Sequence, residues 1–199
     1  MHAGVGIPQN VAMFLDGKIW NLCRPVRHQQ IMYSGYKHVH CVKFQSVVLA
    51  SGLFINMYGP MAPRGDSFVL GASGVIDFLH QLFRLHNITP FAMYGDSAYA
   101  LSELLLKEYP YPCEFNSIMS FVYETVEWGF KEIISHFAWL DYNKNMKLLL
   151  QPVGKYWVVA SLLVNCRTCL YGNQISVFFD SPPRPDLETY LGWAADCNQ

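Results

Sequence analysis

Two short apolar runs that end in an acid constrain this chain more than any other feature. The first is "VAMFLDG", Val11 to Gly17, and the second is "FAMYGD", Phe91 to Asp96. A run of this length and composition reads as a buried strand. A carboxylate at its tip is costly to dehydrate unless something pairs with it. If the two strands are neighbours, Asp16 and Asp96 arrive at the same sheet edge and repel unless a cation lies between them. Hard carboxylate oxygens on a rigid sheet suit Mg²⁺ or Mn²⁺. On spacing alone each acid is also compatible with a plain turn residue, as Asp16–Gly17 or Asp96–Ser97.

The bulk numbers agree with a single packed domain spanning 1–199. The chain has 199 residues, is 52% hydrophobic and only 15% charged, which excludes disorder and leaves enough material for one sizeable core. The longest apolar stretch, "YWVVASLLVNC" (156–166), is too short to span a bilayer. The N-terminus lacks a signal-peptide layout, so an intracellular protein without a membrane partner is the expectation. Cys166 and Cys169 form a CxxC, but in an apolar, helical context with no second pair at ligand spacing, so packing is favoured over metal. The net charge of −1 hides an asymmetry: Gly17 to Gly65 contains Lys18, Arg24, Arg27, Lys37, Lys43 and Arg64 and no acid. Such a block suits a polyanion, and equally a basic face with no ligand.

Along the chain, strands are expected at 10–16, 36–50, 53–59 and 91–96. Helices are expected at 74–85, 98–108, 115–140 and 145–172, the last broken near Pro152–Gly154. A loop is expected at 59–67 and a loop-like tail from Gly172. A meander followed by alternating helix and strand implies a mixed sheet flanked by helices. His38 and His40 would share one strand face near the basic block, as structural residues or, in the alternative, as phosphate contacts. Trp128 and Trp139 read as core. Glu127, in "FVYETVEWGF", is a candidate third acid from a helix, which would complete a two-metal site for phosphoryl transfer.

Several blocks in order, "FLDGK", "YSGYKHVHCVKFQSVV", "LFINMYGP", "RGDSFVLGASGV", "YGDSAY", "FNSIMSFVYETVEWGF", "LDYNKNMKLLLQPVGKYW" and "CLYGNQISVFF", resemble the PIF/Harbinger-type DDE endonucleases, the Tnp4 class of transposase catalytic domains. The resemblance runs from about Val11 to Leu191. It implies an α/β, RNase H-like fold with a mixed five-stranded sheet flanked by helices. It implies that Asp16, Asp96 and Glu127 are catalytic metal ligands, with Asp66 of "RGDS" as a fourth acid, and that two Mg²⁺ or Mn²⁺ ions serve phosphodiester cleavage. It implies a nuclear protein with DNA as partner, and the acid-free basic block puts that contact at Lys18, Arg24, Arg27 and Lys37. A separate DNA-targeting protein is a further expectation, since only 15 residues precede Asp16, and a homodimer is another. Two positions depart from the family: Gly65 where it usually has His, and Tyr123 where it usually has Arg. The alternative they raise is a catalytically decayed core that binds DNA or protein without cutting.

Overall fold

The computed structural model describes residues 10–142, 144 and 146–196; the side chains of 121–126 and 193–196 fall outside that description, as does Cys197. Its core is a six-stranded mixed sheet. Strand β1 (Val11–Asn21) lies between β3 (Val39–Leu49), antiparallel to it, and β5 (Ala92–Gly95), parallel to it. The other edge of β3 is shared by the two-residue β2 (Tyr33–Ser34) and by β4 (Phe54–Met61), both antiparallel. The two-residue β6 (Leu105–Leu106) adds in parallel to β5.

Alternation along β1 assigns the layers. Met13 and Leu15 pack with Leu70 of α1 (Asp66–Ser73) and with Val75, Leu79 and Phe83 of α2 (Val75–Leu85). Phe14 faces the opposite way, with Tyr94 and with Met119 of α3 (Glu114–His136). Trp20 continues that second face against Phe130 of α3 and Trp157 of α4 (Val153–Tyr171), where Trp157 is fully buried between Trp20 and Phe44 at ring separations of 4.5 and 5.2 Å. Cys166 and Cys169 lie on α4, and neither is in a disulfide. Among the described residues no single helix is long and apolar enough to cross a membrane.

Strand β4 sits at an edge, and its outward backbone groups need partners. Asn165 of α4 supplies them: its amide donates to the Phe54 carbonyl at 2.7 Å and its oxygen accepts the Phe54 N–H at 2.8 Å. The same amide donates to the Tyr190 hydroxyl at 2.9 Å, tying in α6 (Leu187–Asp196). Asn165→Ala is therefore expected to cost about 2 kcal/mol, the penalty of stranding buried backbone groups. That corresponds to a melting temperature roughly 4–8 °C lower, read by thermal denaturation.

Several sequence expectations change. The sheet has six strands, not five. Asp16 is at the middle of β1 and not at its end, because pairing with β3 continues to Asn21↔Cys41 after β5 has stopped at Gly95. Residues 98–108 form no helix: Tyr99, Leu104 and Leu105 are buried beside Met93, and pairing with β5 overrides a helix-prone composition. The loop expected at 59–67 gives way to α1 from Asp66, ended at Gly74, whose φ of +63° only glycine adopts cheaply. The stretch before Val153 is turn, not helix. His38 lies in a turn at φ +54°, so it shares no strand face with His40, whose ring packs on Tyr33. Trp139 is half exposed against Tyr156 rather than core. The tail holds α5 (Gln174–Phe178), capped by Asn173 accepting the Ser176 N–H at 2.8 Å, and α6, where Asp186 accepts the Thr189 N–H at 2.8 Å.

Candidate active site

The last registered pair between β1 and β5 is Leu15↔Gly95. The next residues are Asp16 and Asp96, so the parallel register sets the two acids side by side where β5 ends. Asp16 is buried at 7% exposure in the centre of its strand, whereas Asp96 is exposed and accepts the Ser97 hydroxyl at 3.0 Å. Lys18, two residues along β1 and so on the same face as Asp16, meets Glu127 of α3 at 3.8 Å. Glu127 also lies 3.8 Å from Lys131, one turn on, and its side chain is 46% exposed. Lys18 thus links Glu127 to the face of β1 that carries Asp16.

Asp66 belongs to the other face. It opens α1, where its charge complements the helix dipole. Its Oδ1 is 2.7 Å from the Nζ of Lys43, a residue only 6% exposed at the side chain, and that ammonium also donates to the Arg64 carbonyl at 3.4 Å. Lys43 pairs with Ile19 across β1–β3, which puts it on the α1 side. Gly17 makes the cluster fit: a Cβ there would collide with the Asp66 carboxylate and come within 2.9 Å of the Tyr99 hydroxyl. Burial pushes the Tyr99 phenol far above its ordinary range, and the nearby carboxylates of Asp66, Asp16 and Asp96 push the same way. All three aspartates therefore act on one buried hydroxyl, which stays protonated.

The 96–100 loop is pinned from two sides. Ser67 of α1 donates to the Ala98 carbonyl at 3.0 Å and accepts the Ala100 N–H at 2.9 Å. Lys107 donates to the carbonyls of Ser97 and Tyr99 at 3.3 and 3.1 Å. Sequence reasoning missed Lys43, Tyr99, Ser67 and Lys107. The available signal was Lys43 in strand phase with Cys41, an inward position that demands a buried acid.

The expected basic surface is dispersed. Lys18 pairs with Glu127, Lys43 is buried, and Lys37 lies in the turn between β2 and β3 with its ammonium 5.1 Å from the Tyr36 ring. Arg24 and Arg27 lie beyond the far end of β1, beside an apolar groove. Gly65 is open: a Cβ there meets nothing within 4 Å. The Tyr123 side chain lies outside the described residues.

A family model described as DDE superfamily endonuclease matches residues 15–165, a span that includes Asp16, Asp66, Asp96 and Glu127. The chain belongs to that family. Membership makes it a nuclease-type domain with DNA as the substrate class, and such domains generally use divalent metals. No curated protein and no solved structure matches the chain.

The donor chemistry fits a divalent ion in part. Asp16 on β1 and Asp96 just past the end of the neighbouring β5 offer hard oxygens, enough for a hydrated Mg²⁺ or Mn²⁺, which commonly takes one or two carboxylates and keeps its waters. Among the described residues no group of three or more His, Cys, Asp or Glu could hold a metal. Asp66 and Glu127 are instead engaged by Lys43 and Lys18.

Proposed function

We propose that this chain is the catalytic core of a PIF/Harbinger-type transposase, a single RNase H-like domain that cuts DNA phosphodiester bonds with divalent metal. The observation that carries the proposal is the register that brings Asp16 of β1 next to Asp96, the residue that follows the end of the parallel β5. The sheet order supports it: an antiparallel meander of β1, β3 and β4 continued on the other side by parallel β5 and β6. Asp16 and Asp96 would hold the ion, with Glu127 as a third ligand once it leaves Lys18, and Asp66 as a fourth only if Lys43 is displaced. When bound, two such ions supply activation of the attacking water or 3′-hydroxyl and stabilisation of the leaving oxygen. Lys18, freed from Glu127, and Lys37 would meet backbone phosphates. Nuclear location, a homodimer and a separate DNA-targeting partner belong to the same reading.

The test is plasmid nicking in Mn²⁺ by wild type, Glu127→Gln and Tyr123→Arg. Glu127→Gln should nick at least about tenfold more slowly, as loss of a metal-site group does. Tyr123→Arg should nick faster. DNA affinity should fall steeply with salt, the log–log slope shrinking by roughly one for each of Lys18→Ala and Lys37→Ala. Unchanged affinity in the double variant would exclude both as phosphate contacts.

A second reading rests on the two ion pairs. Lys43–Asp66 and Lys18–Glu127 neutralise two of the four acids internally, which suits a decayed core that keeps its fold without metal. No nicking by wild type, and none gained by Tyr123→Arg, would favour it.

A further inference from the structure

At the far end of β1 the chain builds an apolar groove with a basic rim. Asn21 is five residues past Asp16, roughly 17 Å along an extended strand, so this feature is separate from the acids. One wall is the 23–27 loop and the other is the 147–150 turn. The walls are tied together by the Cys23 N–H donating to the Met146 carbonyl at 3.0 Å. The cavity between them measures about 580 Å³. Leu148 and Leu149 also line a second cavity of about 590 Å³ that runs over the start of α4 to Val158 and Val159, so the two cavities adjoin at these leucines.

The groove's apolar residues are held out to solvent. Val26 is 87% exposed, Leu149 66% and Leu150 76%. Leu149 adopts a φ of +70°, a conformation costly for a bulky residue that persists only where the surroundings impose it. Exposed aliphatic patches with polar rims mark interaction sites. Around this one stand Arg24, Arg27, Lys147 and Lys155, and among the described residues none has a carboxylate partner. Arg24 donates to the neutral Gln29 side chain, at 2.9 and 3.1 Å. Among the described residues no aromatic ring lines either cavity, so the aromatic platforms that stack unpaired bases are missing here.

We propose that this groove docks an acidic amphipathic segment of a partner protein, its aliphatic side chains seated on Val26, Leu149 and Leu150 and its carboxylates facing the four rim cations. This is helix-in-groove recognition with charge complementarity added. Four like charges without local acids repel one another, and an acidic ligand relieves that repulsion where a neutral one would not.

The experiment is fluorescence anisotropy on the full chain with a labelled synthetic 16-residue peptide bearing Leu at i, i+3, i+4 and i+7 spacing and Glu between. The comparisons are a scrambled peptide, a version with Lys for Glu, and a DNA duplex of similar length. Saturable binding of the acidic peptide, at least tenfold tighter than the scrambled and Lys versions, is expected. Val26→Ser with Leu150→Ser should weaken it at least tenfold. These positions are solvent-exposed, so melting should be unchanged. Arg24→Glu with Arg27→Glu should also weaken it and improve binding of the Lys peptide. Equal binding of the scrambled peptide, no binding, or insensitivity to Val26→Ser with Leu150→Ser would overturn the proposal. Tighter binding of the duplex, lost on the charge reversal but not on the serine substitutions, would mark the face as a nucleic-acid surface instead.

Discussion

Asp16→Asn should lower Mn²⁺-dependent plasmid nicking by at least about a hundredfold, the loss typical of removing one preorganised charge from a reaction centre, while the chain stays folded. Asp16 is buried in the middle of a strand that pairs with β3 through Asn21 and with β5 up to Leu15, so the sheet fixes its backbone position. Asn has the same shape and keeps the strand. What changes is one negative charge beside Asp96, and relief of that repulsion should leave the melting temperature equal or higher without metal. Glu127→Gln should be milder, because Glu127 is half exposed and shares its charge between Lys18 and Lys131. Nicking by Asp16→Asn within a factor of a few of wild type would remove Asp16 from the reaction.

Lys43→Met is expected to be the most destabilising of the site substitutions. It deletes the cation 2.7 Å from Asp66 and leaves that carboxylate against the Tyr99 phenol under α1. Breaking a buried pair by removing one partner costs 3–5 kcal/mol; Asp66 keeps 21% of its side chain in water, which places the expectation near the lower end, about 3 kcal/mol. For a chain of this size that lowers the melting temperature by roughly 6–12 °C. Adding Asp66→Leu should recover most of the loss, since an apolar pair of similar volume often replaces a buried ion pair without penalty. If Lys43→Met melts within 2 °C of wild type, the pair does not hold α1 to the sheet. The same variants separate two roles for Asp66. A double variant that folds and still nicks leaves Asp66 structural; one that folds and does not nick makes it part of the metal chemistry.

The sequence carried the centre of the sheet because β1 and β5 announce themselves: each is a short apolar run closed by an acid, and burial on both faces is what such a run means. Helix α3 was equally legible from its length. The apolar helix around Glu127 singled it out as a third acid, and the family resemblance added Asp66, which spacing could not have singled out. What escaped the sequence was decided by partners far away along the chain. Leu105 and Leu106 look helical in "ALSELLLKE" and become a strand only because Met93 and Tyr94 offer an open parallel edge. The turn at 147–150 has helical composition, yet Leu149 takes a left-handed φ there. Helices α5 and α6 were hidden behind three prolines, although Asn173 and Asp186 were available as caps. The ion pairs that engage Asp66 and Glu127 were illegible for the same reason. Lys43 reads as one more cation of a basic block, and only the β1–β3 register turns it inward to α1.

Direct Mn²⁺ binding bears most closely on the central claim that Asp16 and Asp96 form a divalent-metal site. It can be followed by loss of the free-ion electron paramagnetic resonance signal on titration with the full chain, in wild type, Asp16→Asn, Asp96→Asn and Lys43→Met. The expected result is saturable binding by wild type, loss of it in both Asn variants, and retention or gain in Lys43→Met as Asp66 is released. Equal binding by wild type and the Asp16→Asn and Asp96→Asn variants, or no binding by any of the four, would contradict it.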